Sequence, residues 1–165
     1  MDIRRLVIYA CALLTIVALM GGCARKIVKQ NEMPSPGLGM AGPGAVAEGE
    51  LQGVQANLKT IYFDYDNYTL SPEAQSAINY DVEILKRYPS LNVVAEGHCD
   101  ERGTAEYNLA LGERRAGAVV ERLTALGIPG NRLSTVSFGS ELPADPNHNE
   151  QAWAKNRRVY LRVSK

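Results

Sequence analysis

The stretch Glu96-Gly97-His98-Cys99-Asp100-Glu101-Arg102-Gly103-Thr104 leads through Tyr107-Asn108-Leu109 into Gly112-Glu113-Arg114-Arg115-Ala116. Just upstream, Asn92 to Glu96 (NVVAE) predicts a strand that runs into a tight loop. Gly97 and Gly103 flank that loop, and a backbone without a β-carbon can turn sharply and approach another closely. From about Glu106 to Leu126, the stripe of Ala116, Val119, Val120, Leu123 and Leu126 predicts a helix, with Gly127 as its stop. The loop acid Asp100 is therefore followed fifteen residues later by Arg115, inside a helix. Such an arrangement can hold one negative and one positive group toward a small zwitterion. The plainer alternative is an internal salt bridge between the two.

The flanking segments complete one domain. Thr60-Ile61-Tyr62-Phe63 predicts a short strand that ends in the loop Asp64 to Thr69. Ser71 followed by Pro72 is a helix cap with proline at the first helical position. Ala74, Ile78, Val82 and Leu85 then recur at helical spacing up to Tyr88-Pro89. Leu133 to Phe138 and Arg158 to Val163 predict two more strands, with an irregular segment between them that carries Pro143 and Pro146. The order β-α-β-α-β-β gives an α+β fold, a two-layer sandwich with helices packed on one face of a mixed sheet. No internal repeat is visible.

The N-terminal part reads differently. Met1 to Gly22 has the form of a signal peptide: Arg4 and Arg5, then the apolar run Leu6 to Met20, then Gly21-Gly22 before Cys23. The alternative is a transmembrane anchor, but the run is about fifteen residues where a span needs about twenty. Cys23 after small residues resembles a bacterial lipobox, with Met20 and Gly21 departing from its usual residues. The resemblance implies cleavage before Cys23 and attachment of lipid to it; a secretory signal without lipid is the alternative. One acyl chain gives marginal anchoring, whereas two or more hold a protein on a membrane stably. Ala24, in place of the aspartate that marks inner-membrane retention in many such lipoproteins, favours the outer membrane, facing the periplasm.

From Cys23 to Asn57 the chain is expected to be a flexible tether, because Pro34, Pro36, Gly37, Gly39, Gly42, Pro43, Gly44 and Gly49 crowd among small and polar residues. As a Gly-rich coil it would span roughly 30 Å, and fully stretched roughly 110 Å. The folded domain is expected over residues 58–165. Acidic and basic residues balance at 18 each, so nothing in the composition suggests a nucleic-acid partner. After cleavage only Cys99 would remain as a thiol, and a single cysteine makes no internal disulfide.

The signature block, with "YFDYD" before it and "LGERRA", "VSFG" and "NRRVYL" after it, closely resembles OmpA-like domains over about residues 58–165. Its "EGH-x-DERGT-x-EYN" form resembles the peptidoglycan-associated lipoproteins within that family. The resemblance implies a non-enzymatic protein that binds the peptide stem of peptidoglycan through diaminopimelate, whose free end carries an amine and a carboxylate. It implies that Asp100 takes the ammonium and that Arg115 takes the carboxylate, a role suited to a planar guanidinium fork. It further implies that Phe63 and Asp64 wall the site, that Thr104 and Asn108 orient loop and ligand, and that Leu111 packs on the ligand's methylene chain. Gly97 and Gly103 would shape the loop. The implied partners are the periplasmic protein TolB and the other components of the Tol–Pal system. No cofactor is implied.

Plainer roles stand beside these. Asn108 could tie the loop to the helix, Asp64 could be a turn residue, and Arg157 and Arg158 could be structural. Cys99 reads as a small buried residue, and His98 as a structural or partner-contact residue. A metal site is disfavoured, since the consecutive residues His98 to Glu101 rarely converge on one ion. Another OmpA-domain lipoprotein with a different partner is the main alternative function. A wall-modifying enzyme lacks a nucleophile motif, a zinc ligand set and a carboxylate pair. The lipid expectation is checked with Cys23→Ala in a Gram-negative host: palmitate labelling should disappear and the protein should leave the outer-membrane fraction. Undiminished labelling would remove the lipoprotein reading.

Overall fold

The computed structural model describes residues 47–165, which all fall within one compact unit. The expected signal peptide, Cys23 and most of the expected tether lie outside the described residues. Among the described residues, eight regular elements occur in order: α1 (Glu48–Asn57), β1 (Ile61–Tyr62), α2 (Pro72–Arg87), β2 (Asn92–His98), α3 (Ala105–Ala125), β3 (Leu133–Gly139), α4 (Glu150–Asn156) and β4 (Arg158–Ser164). A 3-10 turn, Gly130–Arg132, precedes β3. The four strands form one mixed sheet in the order β1-β4-β2-β3. β2 and β3 are parallel, and β4 runs antiparallel to both β1 and β2. The expected α+β sandwich is therefore present, with two helices more than the sequence suggests.

The Ser71 cap that the sequence announces forms, and Thr104 proves to be a second. Ser71 Oγ accepts from the Ala74 N–H, with Pro72 in the first turn of α2. Thr104 Oγ1 accepts from the Tyr107 N–H at the start of α3. Each satisfies one of the amide groups that a helix leaves without an internal partner. On the sheet, period-2 alternation sends Val93 and Ala95 of β2 and Val159, Leu161 and Val163 of β4 inward. They meet Ile78, Val82 and Leu85 of α2 and Val119 and Leu123 of α3, forming one core.

The parallel β2–α3–β3 unit positions the site. α3 can lie close on β2 because Gly97 and Gly112 face each other; a β-carbon on Gly97 would overlap the Gly112 carbonyl, and one on Gly112 would overlap the Ser137 hydroxyl. The β2–β3 register then slips between Gly97 and His98, so that His98 pairs with Gly139. Such a bulge bends a strand and re-aims the residues beyond it. Asp100 lies two residues past His98, on the redirected chain.

Two expectations need correction. Residues 48–57, expected within the tether, form α1. Val54 is 4% exposed and belongs to the core. β1 pairs with β4 only at Val159 and Arg158. Beyond that point, the Gln55 side-chain amide donates to the Leu161 carbonyl at 2.8 Å and accepts from the Val163 N–H at 2.9 Å. It replaces a strand's backbone along an edge that would otherwise be bare. At the other end of the link, the Lys59 N–H donates to the buried Asp81 carboxylate of α2 at 2.9 Å. Gly49 and Gly53 hide this helix in the sequence, because glycine disfavours helix and α1 places only one residue deep in the core.

The second correction concerns the segment before β4, expected to be irregular throughout. Glu150–Asn156 is a two-turn helix capped by Asn149 Oδ1, which accepts from the Ala152 N–H. Pro143 and Pro146 lie upstream of that cap and do not interrupt it. Because α1 supplies both a core side chain and edge hydrogen bonds, a fragment of residues 58–165 should melt at least ~10 °C below a 47–165 fragment. The expectation rests on about 2 kcal/mol for the valine and about 1 kcal/mol for each bond. Equal melting temperatures by circular dichroism would contradict a structural role for α1.

Candidate functional site

The site lies where β2 ends, between the loop Cys99–Thr104, the loop after β1, and the first turns of α3. A cleft of about 80 Å³ is lined by Asp100, Arg102, Asn108, Leu111 and Arg115, with Tyr65, Asp66, Cys99, Gly103 and Tyr107 completing its wall. Its size admits one end group of a ligand rather than a whole peptide. Gly103, at φ 100°, turns the loop in a conformation that favours glycine.

Arg115 is 0% exposed. Its Nε donates to the Asn67 carbonyl at 2.8 Å, Nη1 to the His98 carbonyl at 2.9 Å, and Nη2 to the Asp64 carbonyl at 3.0 Å. Nη1 also meets Cys99 Sγ at 3.4 Å, and the Phe63 ring lies 5.3 Å from the guanidinium carbon. A guanidinium has five N–H groups, and these contacts engage four. Arg115 is therefore not free to clasp a carboxylate with its whole fork. Its positive field still reaches the cleft that it lines.

Asp100 is 4% exposed and makes no ion pair with Arg115. Arg102 grips it as a fork, Nε to Oδ1 at 3.1 Å and Nη2 to Oδ2 at 2.7 Å, while the Arg102 N–H also donates to Oδ1. Arg157 donates to Oδ2 from the buried side at 3.2 Å. Burial pushes this carboxyl's pKa up, but the bonds from Arg102 and Arg157 outweigh it and hold the group below its ordinary value. Arg157 is in turn fixed by the Phe63 carbonyl and by Glu150. Arg102 lies between two rings, with its guanidinium carbon 4.0 Å from the centre of Tyr65 and 4.2 Å from that of Trp153. Arg102 and Arg157 thus share the carboxylates of Asp100 and Glu150, while the Asp66 carboxylate stands on the cleft wall opposite.

The remaining expected residues separate. Asn108 is buried and ties the loop down, its amide donating to the carbonyls of Asp100 and Arg102. Leu111 lines the cleft. Thr104 caps α3, and Gly97 serves the strand–helix contact rather than the loop. Phe63 and Asp64 line a different cavity of about 440 Å³, shared with Thr60, Tyr62, Glu73 and Lys155. They join the smaller cleft through their carbonyls, which Arg157 and Arg115 hold, and through the Phe63 ring beside the Arg115 guanidinium. The Tyr107 hydroxyl donates to the Asp66 carboxylate across the cleft mouth. The structure adds Arg102, Tyr65 and Trp153, which sequence reasoning does not single out. An arginine two residues after the acid is the available signal.

Cys99 and His98 are packed away. Burial pushes the Cys99 thiol's pKa up, against the nearby Arg115 charge. Burial and the Arg158 charge push His98 down to about 4, and its ring stacks on Phe138 at 5.4 Å. Arg115→Met should cost about 3 kcal/mol or more, because it strands the carbonyls of Asp64, Asn67 and His98 in a buried site. Urea unfolding reads this directly. A loss under 1 kcal/mol would show that Arg115 does not hold the site together.

Comparison with known proteins places this geometry. The OmpA family profile matches residues 62–157. A peptidoglycan-associated lipoprotein of Pseudomonas aeruginosa is 47% identical over 131 residues, covering 78% of this chain and 76% of the relative. One of Rhizobium meliloti is 40% identical over 147 residues, covering 88% and 82%. The crystal structure of the peptidoglycan-associated lipoprotein from Burkholderia pseudomallei superposes with a TM-score of 0.62 at 40% identity, over 64% of this chain and 90% of that one. The C-terminal domain of Helicobacter pylori MotB gives 0.61 at 24% identity, over 65% and 84%, a likeness of fold alone.

Proposed function

The chain belongs to the OmpA family, and on that premise we propose that it is a lipoprotein of the outer membrane that grips peptidoglycan without covalent chemistry. The ligand is the diaminopimelate end of the stem peptide, an ammonium and a carboxylate on one carbon. The observation that carries this reading is the cleft itself. It sets one almost fully buried carboxylate, Asp100, among three guanidiniums at the end of β2. Asp100 is the acceptor suited to an ammonium. The guanidiniums of Arg102 and Arg115, which line the cleft, suit the carboxylate beside it.

Lipid on Cys23 would fix one end of the chain in the membrane, and the cleft would hold the wall. A single end group buries little area, so each grip is weak. Many copies facing one wall make the attachment firm through avidity. The reading includes the Tol–Pal system, with TolB as protein partner on the same face. It is a binding reading rather than an enzymatic one, in keeping with a thiol and an imidazole that packing keeps away from chemistry.

The test is retention of the full chain on purified sacculi. Asp100→Asn keeps the size of the side chain but removes the charge that meets the ammonium, and removing one partner of such a pair costs about 2–5 kcal/mol. Retention should fall at least about tenfold, and free diaminopimelate should compete with the parent protein. Asp100→Asn binding sacculi as the parent does would sink the site assignment. It is a better probe than Arg115, whose loss also undoes the loop.

A further inference from the structure

We propose that the contact between Asp81 and the link of residues 58–60 is a proton-dependent latch on helix α1, closed in acid and loosened as the pH rises toward neutrality. Asp81 is 0% exposed, on the face of α2 that also buries Ile78 and Leu85. Its Oδ1 accepts from the Lys59 N–H at 2.9 Å, and its Oδ2 is buried without a hydrogen-bond partner. An ionised carboxylate in this place has one donor for two oxygens, so the unpartnered oxygen bears the cost of leaving water. Protonation removes most of that cost.

The charges around Asp81 do not make up the deficit. Lys59 is exposed, and its Nζ lies over the Tyr80 ring, 5.1 Å from the centre. Helix α1 carries Glu48 and Glu50, and α2 carries Glu83, Lys86 and Arg87, all exposed. From α3, Arg122 reaches Asn79. The sheet turns only apolar side chains to this core. Burial therefore wins and pushes the Asp81 carboxyl up to about 7, against the Lys59 N–H and the Lys59 charge.

Position turns this titration into a movement. Residues 58–60 join α1 to β1, so the amide that Asp81 holds lies just past the helix. Helix α1 is otherwise held by Val54 in the core and by the Gln55 amide on β4. A cavity of about 400 Å³ opens between it and α2, bordered by Gly53, Val54, Asn57, Tyr80 and Ile84. An element with so few deep contacts opens before the sheet does. When α1 and its link lift, Asp81 meets water and regains an ordinary carboxylate value. The closed state thus binds the proton more tightly than the open one. Its advantage is whole below about pH 4. Above that it shrinks by up to about tenfold per pH unit, and it is spent past about pH 7.

The experiment is hydrogen exchange of the full chain in detergent, from about pH 5 to about pH 8, with each rate divided by the intrinsic rate at that pH. Residues 48–60 should lose at least about tenfold in protection across that range, while β2 and β4 keep theirs. Asp81→Asn retains an acceptor for the Lys59 N–H but has no proton to lose, so its protection of residues 48–60 should stay level. The variant leaves His98 and His148 in place and so separates Asp81 from them. In the parent, the Asp81 carboxyl carbon followed by NMR should titrate with a midpoint of about 7. That measurement needs no variant and decides the matter even if Asp81→Asn folds poorly. A midpoint below about 5 would overturn the latch, as would unchanged protection of residues 48–60 in the parent. So would an Asp81→Asn chain that keeps the parent's pH dependence. Loss of protection in β2 and β4 together with α1 would overturn it too, because the whole domain would then be responding.

Discussion

A guanidinium sealed from water must find acceptors, and the site is arranged around that requirement. Arg115 reaches from α3 to the carbonyls of Asp64 and Asn67 on one loop and of His98 at the end of β2. Three segments far apart in sequence are fixed relative to each other by one side chain. A buried charge tolerated in this way is supported by dipoles rather than by an opposite charge, so no carboxylate is consumed in neutralising it. Asp100 is thereby left to other cations. The same requirement explains why α3 must lie close on β2, since an arginine reaches the carbonyls only if the helix sits within the glycine contact at positions 97 and 112.

The three guanidiniums of the site divide the work. Arg115 holds the backbone, Arg157 holds Asp100 from behind, and Arg102 covers it from in front. Breaking a buried pair by removing one partner is costly, whereas the pair itself contributes little net stability. Such a cluster is therefore retained for what it positions. The aromatic residues around it share the same division: Phe63 lies near the buried guanidinium of Arg115, while Tyr65 and Trp153 lie against the half-buried one of Arg102.

Much of this is legible in the residues alone, and the exceptions have physical causes. The helices α2 and α3 announce themselves by 3.6-residue periodicity, α2 also by its Ser71 cap, and the strands by their short apolar runs. The identity of Asp100 and Arg115 as the central charges is also visible. The acceptors of Arg115 are not, because backbone carbonyls carry no letter in a sequence; its place in a strongly basic "GERRA" suggests a surface fork, not a sealed one. Helix α1 is hidden by glycines and by having only Val54 deep in the core. Helix α4 escapes notice because Trp153 makes sense only once Arg102 is beside it in space.

Helix α1 also has a mechanical meaning. Ten residues wound as a helix measure about 15 Å, and drawn out they measure about 33 Å. A pull entering the described domain at Ala47 meets this helix before it meets any strand, and it is resisted by Val54 in its pocket and by the Gln55 amide on β4. Peeling α1 away yields about 18 Å of slack while β1, β4 and β2 keep their ladder and the cleft keeps its shape. Helix α1 therefore stands to give length before the sheet does.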